Sequence, residues 1–315
     1  MEDEKIVLSI CIPTYNGASS FLKDVLDAAA CILSKEDDVE VVVSDNCSID
    51  GTPELIKTYA GIKNFRSYRN TENVGFNGNF QLLSDKYAVG KYCWFVGDDD
   101  VINVKYVTCI LEVLRKKDIS LLSLNFQLSS SNKNRPVSVI PVYCTYGKAV
   151  DLCLDEANTL CAYMGSVIFE RIPFKEFSKT FISNSFDTFY NVFPNAYILG
   201  SIFSKSRCAY LGVPAITVLI HEKAWSTDDN VYNIVSNCFP DLYTYLISKG
   251  VDKADLKETY KSIIVNNLIY GYKRLFSFKN INKMFFKSIF LSYRYPSIKI
   301  NFIKRIVTIF KDKFF

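Results

Sequence analysis

The sequence predicts an α/β fold in which a mostly parallel sheet has helices on both faces and is followed by a C-terminal helical region. Over the first 126 residues, short apolar runs alternate with segments whose apolar residues recur at helical spacing, which is the pattern of successive βα units. Apolar residues make up 49% of the 315 residues and charged residues 22%, which is typical of a folded globular chain. From about residue 231 onward the pattern is helical.

The predicted elements follow a regular order. Most of the strands are short apolar runs rich in β-branched or aromatic residues. Strands are expected at 6–12, 39–43, 65–69, 92–96 and 119–126. Helices are expected between them, at 20–33, 52–60, 76–87 and 104–116. Beyond these, we expect a polar loop over 129–136, a hairpin over 137–150, strands at 165–170 and 209–220, and a helix at 194–205.

The ten cysteines favour a reducing compartment. They form no CxxC pair, and several, such as Cys11, Cys93 and Cys109, lie inside apolar runs, which is typical of buried thiols rather than of disulfides or a zinc site. The acidic first five residues run directly into a strand, so we expect no signal peptide. No apolar stretch has the length of a transmembrane helix. The expected location is the cytoplasm.

Basic and aromatic residues are concentrated in the tail, defined here as residues 271–315. The tail holds eleven Lys and Arg and one acid, while 26 bases and 32 acids lie elsewhere in the chain. Such segments can form helices that lie in a membrane interface, so we expect peripheral contact with anionic lipid on the inner face of the cell membrane. The alternative is a helical pair that packs its aromatic residues on the protein. Nucleic-acid binding is disfavoured because the aromatic residues are arranged as a buried face.

Three consecutive aspartates, Asp98, Asp99 and Asp100, follow directly on the apolar run at 92–96. Adjacent carboxylates repel one another, and a divalent cation that prefers oxygen ligands relieves the repulsion. In open α/β sheets, ligands bind at the carboxyl ends of the strands. The sequence therefore predicts a Mg²⁺ or Mn²⁺ site here. The alternative is a solvated acidic turn.

Polar residues follow the other predicted strands as well. They are Pro13, Thr14, Tyr15 and Asn16 after the first strand, Ser44, Asp45 and Asn46 after the second, and Asn73 and Gly75 after the third. Each group alone is an ordinary turn sequence, but four in order on successive βα units predict one shared ligand site. Neither GxxxxGK[ST] nor GxGxxG occurs, which removes the support for P-loop and dinucleotide-binding proteins.

The order of these motifs is similar to that of the family 2 glycosyltransferases with the GT-A fold, over roughly residues 6–126. Residues 92–100 resemble, more narrowly, bacterial enzymes that assemble O-antigen, the abequosyltransferase-like group among them. The resemblance implies a Rossmann-like nucleotide-sugar-binding half at 1–126, an acceptor-binding half at 127–230 and the C-terminal region at 231–315.

The resemblance also implies roles for individual residues. The residues implied to bind the nucleotide sugar are Pro13, Thr14, Tyr15, Asn16, Asp45, Asn73 and Asp98. Asp45 would accept a hydrogen bond from the base, which would favour uracil, thymine or guanine over cytosine. Asp99 would be the main ligand of the Mg²⁺ or Mn²⁺ ion, with Asp100. Many family members have Asp-x-Asp-Asp here and this chain has Gly97 at the first of those positions, so which two of the three aspartates hold the metal stays open.

The acceptor side is less well defined. An acceptor hydroxyl needs a general base, and the family usually supplies an acid where this chain has Asn195. The nearest acid, Asp187, is our hypothesis for the base, with a helix cap or surface aspartate as the alternative; Asn195 would then contact the acceptor. His221, the single histidine, is expected as a further metal or diphosphate ligand, as in many GT-A enzymes, or else as a hydrogen-bonded residue at a strand end.

These observations and the resemblance together predict a metal-dependent, inverting glycosyltransferase. It would move a sugar from a nucleoside-diphosphate sugar to a glycan or a polyprenyl-linked glycan acceptor in O-antigen or surface polysaccharide synthesis. Two alternatives stay open: a sugar nucleotidyltransferase, although its Gly-rich loop with Lys or Arg after the first strand is missing, and a catalytically inactive scaffold that binds glycan or lipid. Inversion rests on the resemblance alone.

Overall fold

The computed structural model describes two compact units. The described residues are 6–116, 118–130, 133–136, 143–145, 164–176, 208–219, 239–248, 250, 252–253, 264–265, 268–269, 286 and 288–290. One unit comprises Met1–Asn184 and Tyr197–His221, and the other Ser185–Ala196 and Glu222–Phe315. The predicted boundaries at residues 126 and 230 stay a prediction.

Ten strands of the first unit form one sheet within the described residues. They are β1 (Leu8–Thr14), β2 (Val39–Asp45), β3 (Phe65–Arg69), β4 (Tyr92–Phe95), β5 (Asp100–Ile102), β6 (Leu121–Ser130), β7 (Lys133–Pro136), β8 (Tyr143–Thr145), β9 (Val167–Glu170) and β10 (Cys208–Leu219). The main path of the sheet runs β3-β2-β1-β4-β9-β6-β10-β5, with β7 beside β6 and β8 beside β10.

Helices connect the first strands, as predicted. They are α1 (Leu22–Leu33), α2 (Thr52–Lys57), α3 (Gly75–Leu82) and α4 (Val107–Lys116). A π-helical turn, Leu83–Tyr87, continues α3, and a 3₁₀ turn, Val104–Tyr106, precedes α4. In the second unit, α5 spans Phe239–Ser248. Within the described residues, no helix combines the length and the apolar character that crossing a bilayer requires.

The first half of the sheet is parallel, in the order β3-β2-β1-β4. All four strands therefore end at the same edge, which we call the ligand edge. Thr14 pairs with Asp45, and Asp45 pairs with Arg69, so the last residues of three strands lie side by side. This half confirms the predicted α/β architecture.

The second half departs from a parallel order because β9 lies antiparallel between β4 and β6. Two strands that pair in parallel need a crossover of about a dozen residues or more, usually a helix. The chain between β4 and β5 is far shorter, so β5 cannot pair in parallel with β4, and it pairs antiparallel with β10.

The short connection between β4 and β5 also determines the shape of the sheet. Its four residues can span about 17 Å, whereas three intervening strands in a flat sheet would separate β4 from β5 by about 19 Å. The sheet must therefore curl, which brings β10 back to β5, which follows β4 after four residues.

Apolar side chains fill both faces of the sheet. On one face, Ile10, Ile12 and Trp94 belong to a core that also contains the buried residues of α1 and α4. Residues on the other face include Phe95, whose ring stacks on Phe80 of α3 with centroids 3.5 Å apart. Burying an aromatic side chain of this kind contributes about 2–3 kcal/mol. Helices on both faces were predicted and are confirmed.

One expectation about the second half is wrong, and one strand there was not expected. The polar loop predicted at 129–136 is wrong, because β6 extends to Ser130 and pairs antiparallel with β7; backbone pairing at a sheet edge tolerates polar side chains. In the predicted hairpin at 137–150, the described part is β8, which pairs with β10. The three-residue strand β5 was not predicted, since it is too short to show a pattern. The predicted helix at 194–205 lies outside the described residues.

A buried carboxylate joins the strands at the end of the sheet opposite the ligand edge. Glu40 of β2 is 2% exposed. Its Oε1 accepts hydrogen bonds from Ser9 Oγ at 2.5 Å and from the backbone N–H of Val89 at 2.7 Å. Its Oε2 pairs with the guanidinium of Arg66 in β3, where Nε donates at 3.1 Å and Nη2 also donates. This network joins β1, β2, β3 and the segment before β4.

We predict that Arg66→Met lowers the free energy of unfolding by about 3 kcal/mol, because it leaves a buried carboxylate without its counter-charge. The value lies at the low end of the usual range since the Arg66 side chain is 35% exposed. Urea unfolding at pH 7 measures it. The matched control is Lys116→Met, which removes an exposed ion pair with Glu112 and should change the stability by less than about 0.5 kcal/mol. Equal effects of the two substitutions would contradict the prediction.

Candidate active site

The ligand edge brings the predicted site residues of β1 and β4 into direct contact. Thr14, the last residue of β1, is buried, and its Oγ1 donates a 2.6 Å hydrogen bond to Asp98 Oδ2. The backbone N–H of Val96 donates to the Cys11 carbonyl at 3.0 Å. The pairing of β1 with β4 therefore continues almost to residues 98–100, which we call the acidic turn. These two hydrogen bonds therefore join the residues that follow the two strands.

The loops after β1 and β2 are fastened to each other. The Asn16 backbone N–H donates to Ser48 Oγ at 2.8 Å, and Asn16 Oδ1 accepts from the Ile49 N–H at 3.0 Å. Asn16 has a φ of 54°, which asparagine tolerates better than most residues. The neighbouring Tyr15 is 46% exposed, so its ring is accessible for contact with a ligand.

Asp45 combines deep burial with an available oxygen. It is 2% exposed, and its Oδ1 accepts a hydrogen bond from the Ser48 N–H at 2.9 Å. Its Oδ2 lies 3.4 Å from Arg69 Nε and has no hydrogen-bond partner among the described residues. The charge of Arg69 compensates the burial of Oδ2 in part, but Arg69 makes no hydrogen bond to it. A ligand N–H or O–H that reached Oδ2 would add that hydrogen bond.

Asn46 connects the end of β2 to the loop that precedes α3. Its Nδ2 donates to Asn73 Oδ1 at 2.8 Å and to the Gly75 carbonyl at 3.2 Å. Its Oδ1 accepts from Asn70 Nδ2 and from the Val74 N–H, both at 3.0 Å. The amide therefore makes four hydrogen bonds, and it holds Asn73 at the ligand edge.

The three aspartates differ in their surroundings. Asp98 and Asp99 are half-buried, whereas Asp100 is 8% exposed and begins β5, where it pairs with Val218 of β10. Burial raises the pKa of Asp100 to about 6; the Gly97 backbone N–H opposes the rise, and the Asp98 charge adds to it. Val218 lies three residues before His221 in the chain.

The carboxylates of the acidic turn have the chemistry of a divalent cation site. Within the described part of the chain, no three His, Cys, Asp or Glu side chains cluster as a metal site. Asp99 Oδ1 and Asp100 Oδ2, however, each lie 2.9 Å from the point where a Cβ on Gly97 would stand. Mg²⁺ is commonly held by one or two carboxylates together with substrate phosphates, and these two oxygens fit that arrangement.

The structure thus brings most of the predicted residues to one edge: Pro13, Thr14, Tyr15, Asn16, Asp45, Asn73, Asp98, Asp99 and Asp100. Asp187, Asn195 and His221 lie outside the described residues, and the roles of all twelve stay predictions. Sequence reasoning missed Arg69 and Asn70, whereas Asn79 belongs with Asn73 to the polar residues that follow the third predicted strand. Arg69 could have been predicted from the ends of the two strands, because parallel pairing places the last residue of β3, Arg69, beside the last residue of β2, Asp45.

Comparison with known proteins identifies the family. The model of the family described as "Glycosyl transferase family 2" matches residues 9–178, which is more than half of the chain. The chain belongs to glycosyltransferase family 2. The match includes the ligand edge, the acidic turn and β9.

Two curated relatives of this family 2 chain are glycosyltransferases by name. Abequosyltransferase RfbV of Salmonella typhimurium is 27% identical over 238 residues, which cover 67% of this chain and 66% of the relative. Poly(ribitol-phosphate) β-N-acetylglucosaminyltransferase TarS of Staphylococcus aureus is 32% identical over 95 residues, 30% of this chain and 16% of TarS. The chain therefore matches just under two thirds of the length of the first relative and a small part of the second.

Solved structures share the GT-A fold. TarS residues 1–349 in complex with UDP-GlcNAc superpose with a TM-score of 0.62 at 14% identity, over 90% of this chain and 79% of that one. The mannosyltransferase PcManGT of Pyrobaculum calidifontis, in complex with GDP-Man and Mn²⁺, has a TM-score of 0.56 at 12% identity, over 97% and 81%. At these identities the likeness concerns the fold.

We predict that Asn46→Asp destabilises the protein by about 2 kcal/mol, because the new carboxylate oxygen faces two acceptors where the amide donated two hydrogen bonds. Thermal unfolding and urea titration measure the loss in the free energy of unfolding. The reverse isosteric change, Asp37→Asn, serves as the control, since Asp37 lies in an exposed ion pair. A loss at position 46 no larger than that of the control would contradict the role given to this amide.

Proposed function

We propose that this chain transfers a sugar from a nucleoside-diphosphate sugar to a glycan acceptor during surface polysaccharide synthesis. One observation carries the proposal: in a family 2 chain, Thr14, Asp45 and the acidic turn meet at the ligand edge, with Thr14 Oγ1 bonded to Asp98 Oδ2 at 2.6 Å. The solved TarS and PcManGT structures that share this fold are complexes with UDP-GlcNAc and with GDP-Man. An O-antigen acceptor is favoured by the resemblance to abequosyltransferases.

The nucleotide would bind across the ends of β1 and β2. Oδ2 of Asp45 is buried and has no hydrogen-bond partner in the described part of the chain, which suits the acceptance of an N–H from the base. Among the bases, uracil, thymine and guanine carry a ring N–H, whereas cytosine does not. The exposed Tyr15 ring would stack on the base, with Pro13, Asn16 and Asn73 around it. Asp98, held by Thr14, would contact the ribose.

A divalent cation, Mn²⁺ or Mg²⁺, would be held by Asp99 and Asp100, with His221 as a further ligand. Such an ion acts as a Lewis acid and supplies several kcal/mol of stabilisation to the departing diphosphate. The convergence of the Asp99 and Asp100 oxygens near Gly97 supports this assignment, and so does the Mn²⁺ bound in the complex of the mannosyltransferase PcManGT.

On the acceptor side, Asp187 is our proposed general base and Asn195 a contact to the acceptor. Asp187 would take the proton of the acceptor hydroxyl while the oxygen of that hydroxyl bonds to the anomeric carbon of the donor sugar. The bond from that carbon to the diphosphate breaks on the opposite face, so the configuration inverts. This part of the proposal comes from the sequence.

The tail would bring the enzyme to a lipid-linked acceptor. Its described residues include Phe286 and Phe290, which are 59% and 64% exposed, whereas Ser288 between them is fully buried. The two phenylalanines are one helical turn apart and so share a face. Exposed aromatic residues beside eleven Lys and Arg match the chemistry of an anionic lipid surface.

We predict that Mn²⁺-dependent transfer or hydrolysis of one sugar nucleotide falls at least about a hundredfold in Asp99→Ala, because the diphosphate loses its cation. Binding and turnover are measured across UDP-, TDP-, GDP-, CDP- and ADP-sugars, with and without Mn²⁺. Asp37→Ala, at an exposed carboxylate, is the control and should behave as the native chain does. If the native chain binds no donor with or without metal, the transferase proposal fails and the scaffold alternative takes its place.

We further predict that removing residues 278–315 abolishes sedimentation with vesicles that contain anionic lipid, since the basic and aromatic tail supplies the contact. The double variant Phe286→Ser/Phe290→Ser leaves the charge intact and should weaken binding to the same vesicles. Vesicles of neutral phosphatidylcholine serve as the control. Unchanged binding of the truncated chain, with its circular dichroism preserved, would refute the role of the tail.

A further inference from the structure

Ser48, in the loop after β2, is buried at the ligand edge and binds three residues there. It is 1% exposed. Its backbone N–H donates to Asp45 Oδ1 at 2.9 Å, its Oγ accepts from the Asn16 N–H at 2.8 Å, and its carbonyl accepts from Arg69 Nη2 at 2.7 Å. These partners lie in β2, in the loop after β1 and in β3. One buried residue therefore connects three parts of the ligand edge.

The hydroxyl of Ser48 holds the peptide group that carries the Tyr15 ring. The N–H that it accepts belongs to the peptide that links Tyr15 to Asn16. The other two hydrogen bonds are made by the Ser48 backbone, and one of them orients the Asp45 carboxylate. The ring proposed to stack on the base and the carboxylate proposed to read its edge are therefore joined through Ser48.

The rest of the loop after β1 is held by other contacts. The Ala18 N–H donates to Asp50 Oδ2 at 3.2 Å and to Thr52 Oγ1 at 3.0 Å, and Asn16 Oδ1 accepts from the Ile49 N–H. Loss of the Ser48 hydroxyl would therefore leave the loop attached and free only the peptide next to the Tyr15 ring. The three hydrogen bonds of Ser48 do not reach the acidic turn.

We propose that Ser48 is a positioning residue for the nucleotide base: it fixes the Tyr15 ring relative to the Asp45 carboxylate. The inference rests on the proposed function, since it concerns the same nucleotide. A planar base makes both contacts only if the ring lies over its face while the carboxylate reaches its edge. Groups that hold this geometry before the ligand arrives need no ordering when it binds. Ser48 therefore acts on the affinity for the nucleotide and not on the transfer step.

The first test is the binding of UDP, TDP and GDP to the full-length protein with Mn²⁺, measured by calorimetry. Ser48→Ala should raise the Kd of the nucleotide that the native chain binds about fivefold, the usual effect of one hydrogen bond. Ser48→Cys fills the same space with a weak acceptor and should weaken binding similarly, which covers a failure of the alanine variant to fold. Ser34→Ala, which removes an exposed hydroxyl bonded to the Cys31 carbonyl, is the matched control and should keep the native Kd.

A double-mutant cycle tests whether Ser48 acts through the Tyr15 ring. In a Tyr15→Ala background, adding Ser48→Ala should raise the Kd by less than about twofold, because no ring is left to position. Additive effects of the two substitutions would overturn the inference, since Ser48 would then act on something other than the ring.

Steady-state kinetics distinguish positioning from a loss of folding. Ser48→Ala should raise the KM for the sugar nucleotide about fivefold and leave kcat within about twofold, because the acidic turn keeps its contacts. A protein that is merely destabilised would lose kcat in proportion to its folded fraction and keep its KM. That result would overturn the inference.

A failure of this inference can be told from a failure of the proposed function. If the native chain binds a nucleotide and both variants at position 48 bind it equally well, the inference is wrong and the proposed function stands. If the native chain binds none of the three nucleotides, the proposed function fails and takes the inference with it.

Discussion

Between the end of β4 and the start of β5 the chain has four residues, although three other strands separate these two in the pairing order. A connection this short cannot cross a flat sheet, so the sheet curls and β10 meets the acidic turn. The three aspartates lie in and directly after this connection. The geometry of the proposed cation site and the closure of the sheet are therefore one feature of the chain, and a change in the length of this connection would alter both.

Parallel pairing at the other side of the sheet has a comparable role. Because side chains alternate along a strand, a slip of one residue between β2 and β3 would turn Arg69 away from Asp45. Glu40 and Arg66 lie at the opposite end of the same two strands, and their buried ion pair favours the observed register. An ion pair that contributes to stability at one end thus contributes to the alignment of polar residues at the other. The two hydrogen bonds to Glu40 Oε1 and the ion pair with Arg66 explain how a charged residue is tolerated in the interior of an apolar strand.

The sequence predicts the first half of the fold well because each βα unit there is a local pattern. The predicted strands end within two residues of Thr14, Asp45, Arg69 and Phe95, where the observed strands end, and the polar residues beyond them were therefore predicted as a site. The second half depends on pairings between distant segments, such as β9 between β4 and β6, which no local pattern encodes. The same limit applies within the site. Thr14 and the aspartates stand out as motifs, whereas Arg69 and Asn70 acquire their contacts through register and packing. The closeness of the Asp99 and Asp100 oxygens to Gly97 likewise depends on the folded turn and cannot be predicted from the sequence.

The hydrogen bonding of Asn46 bears on how the ligand edge could be redesigned. All four bonds of this amide are made within the protein, so position 46 has no capacity left for a ligand. Tyr15 and Ile49, on the loops after β1 and β2, and Phe76, in the first turn of α3, are 46%, 84% and 59% exposed. Their side chains can change without disturbing that amide. Directed evolution toward a different nucleotide would therefore keep Asn46 and vary residues 15, 49 and 76. An antibody likewise varies its loops on a constant framework.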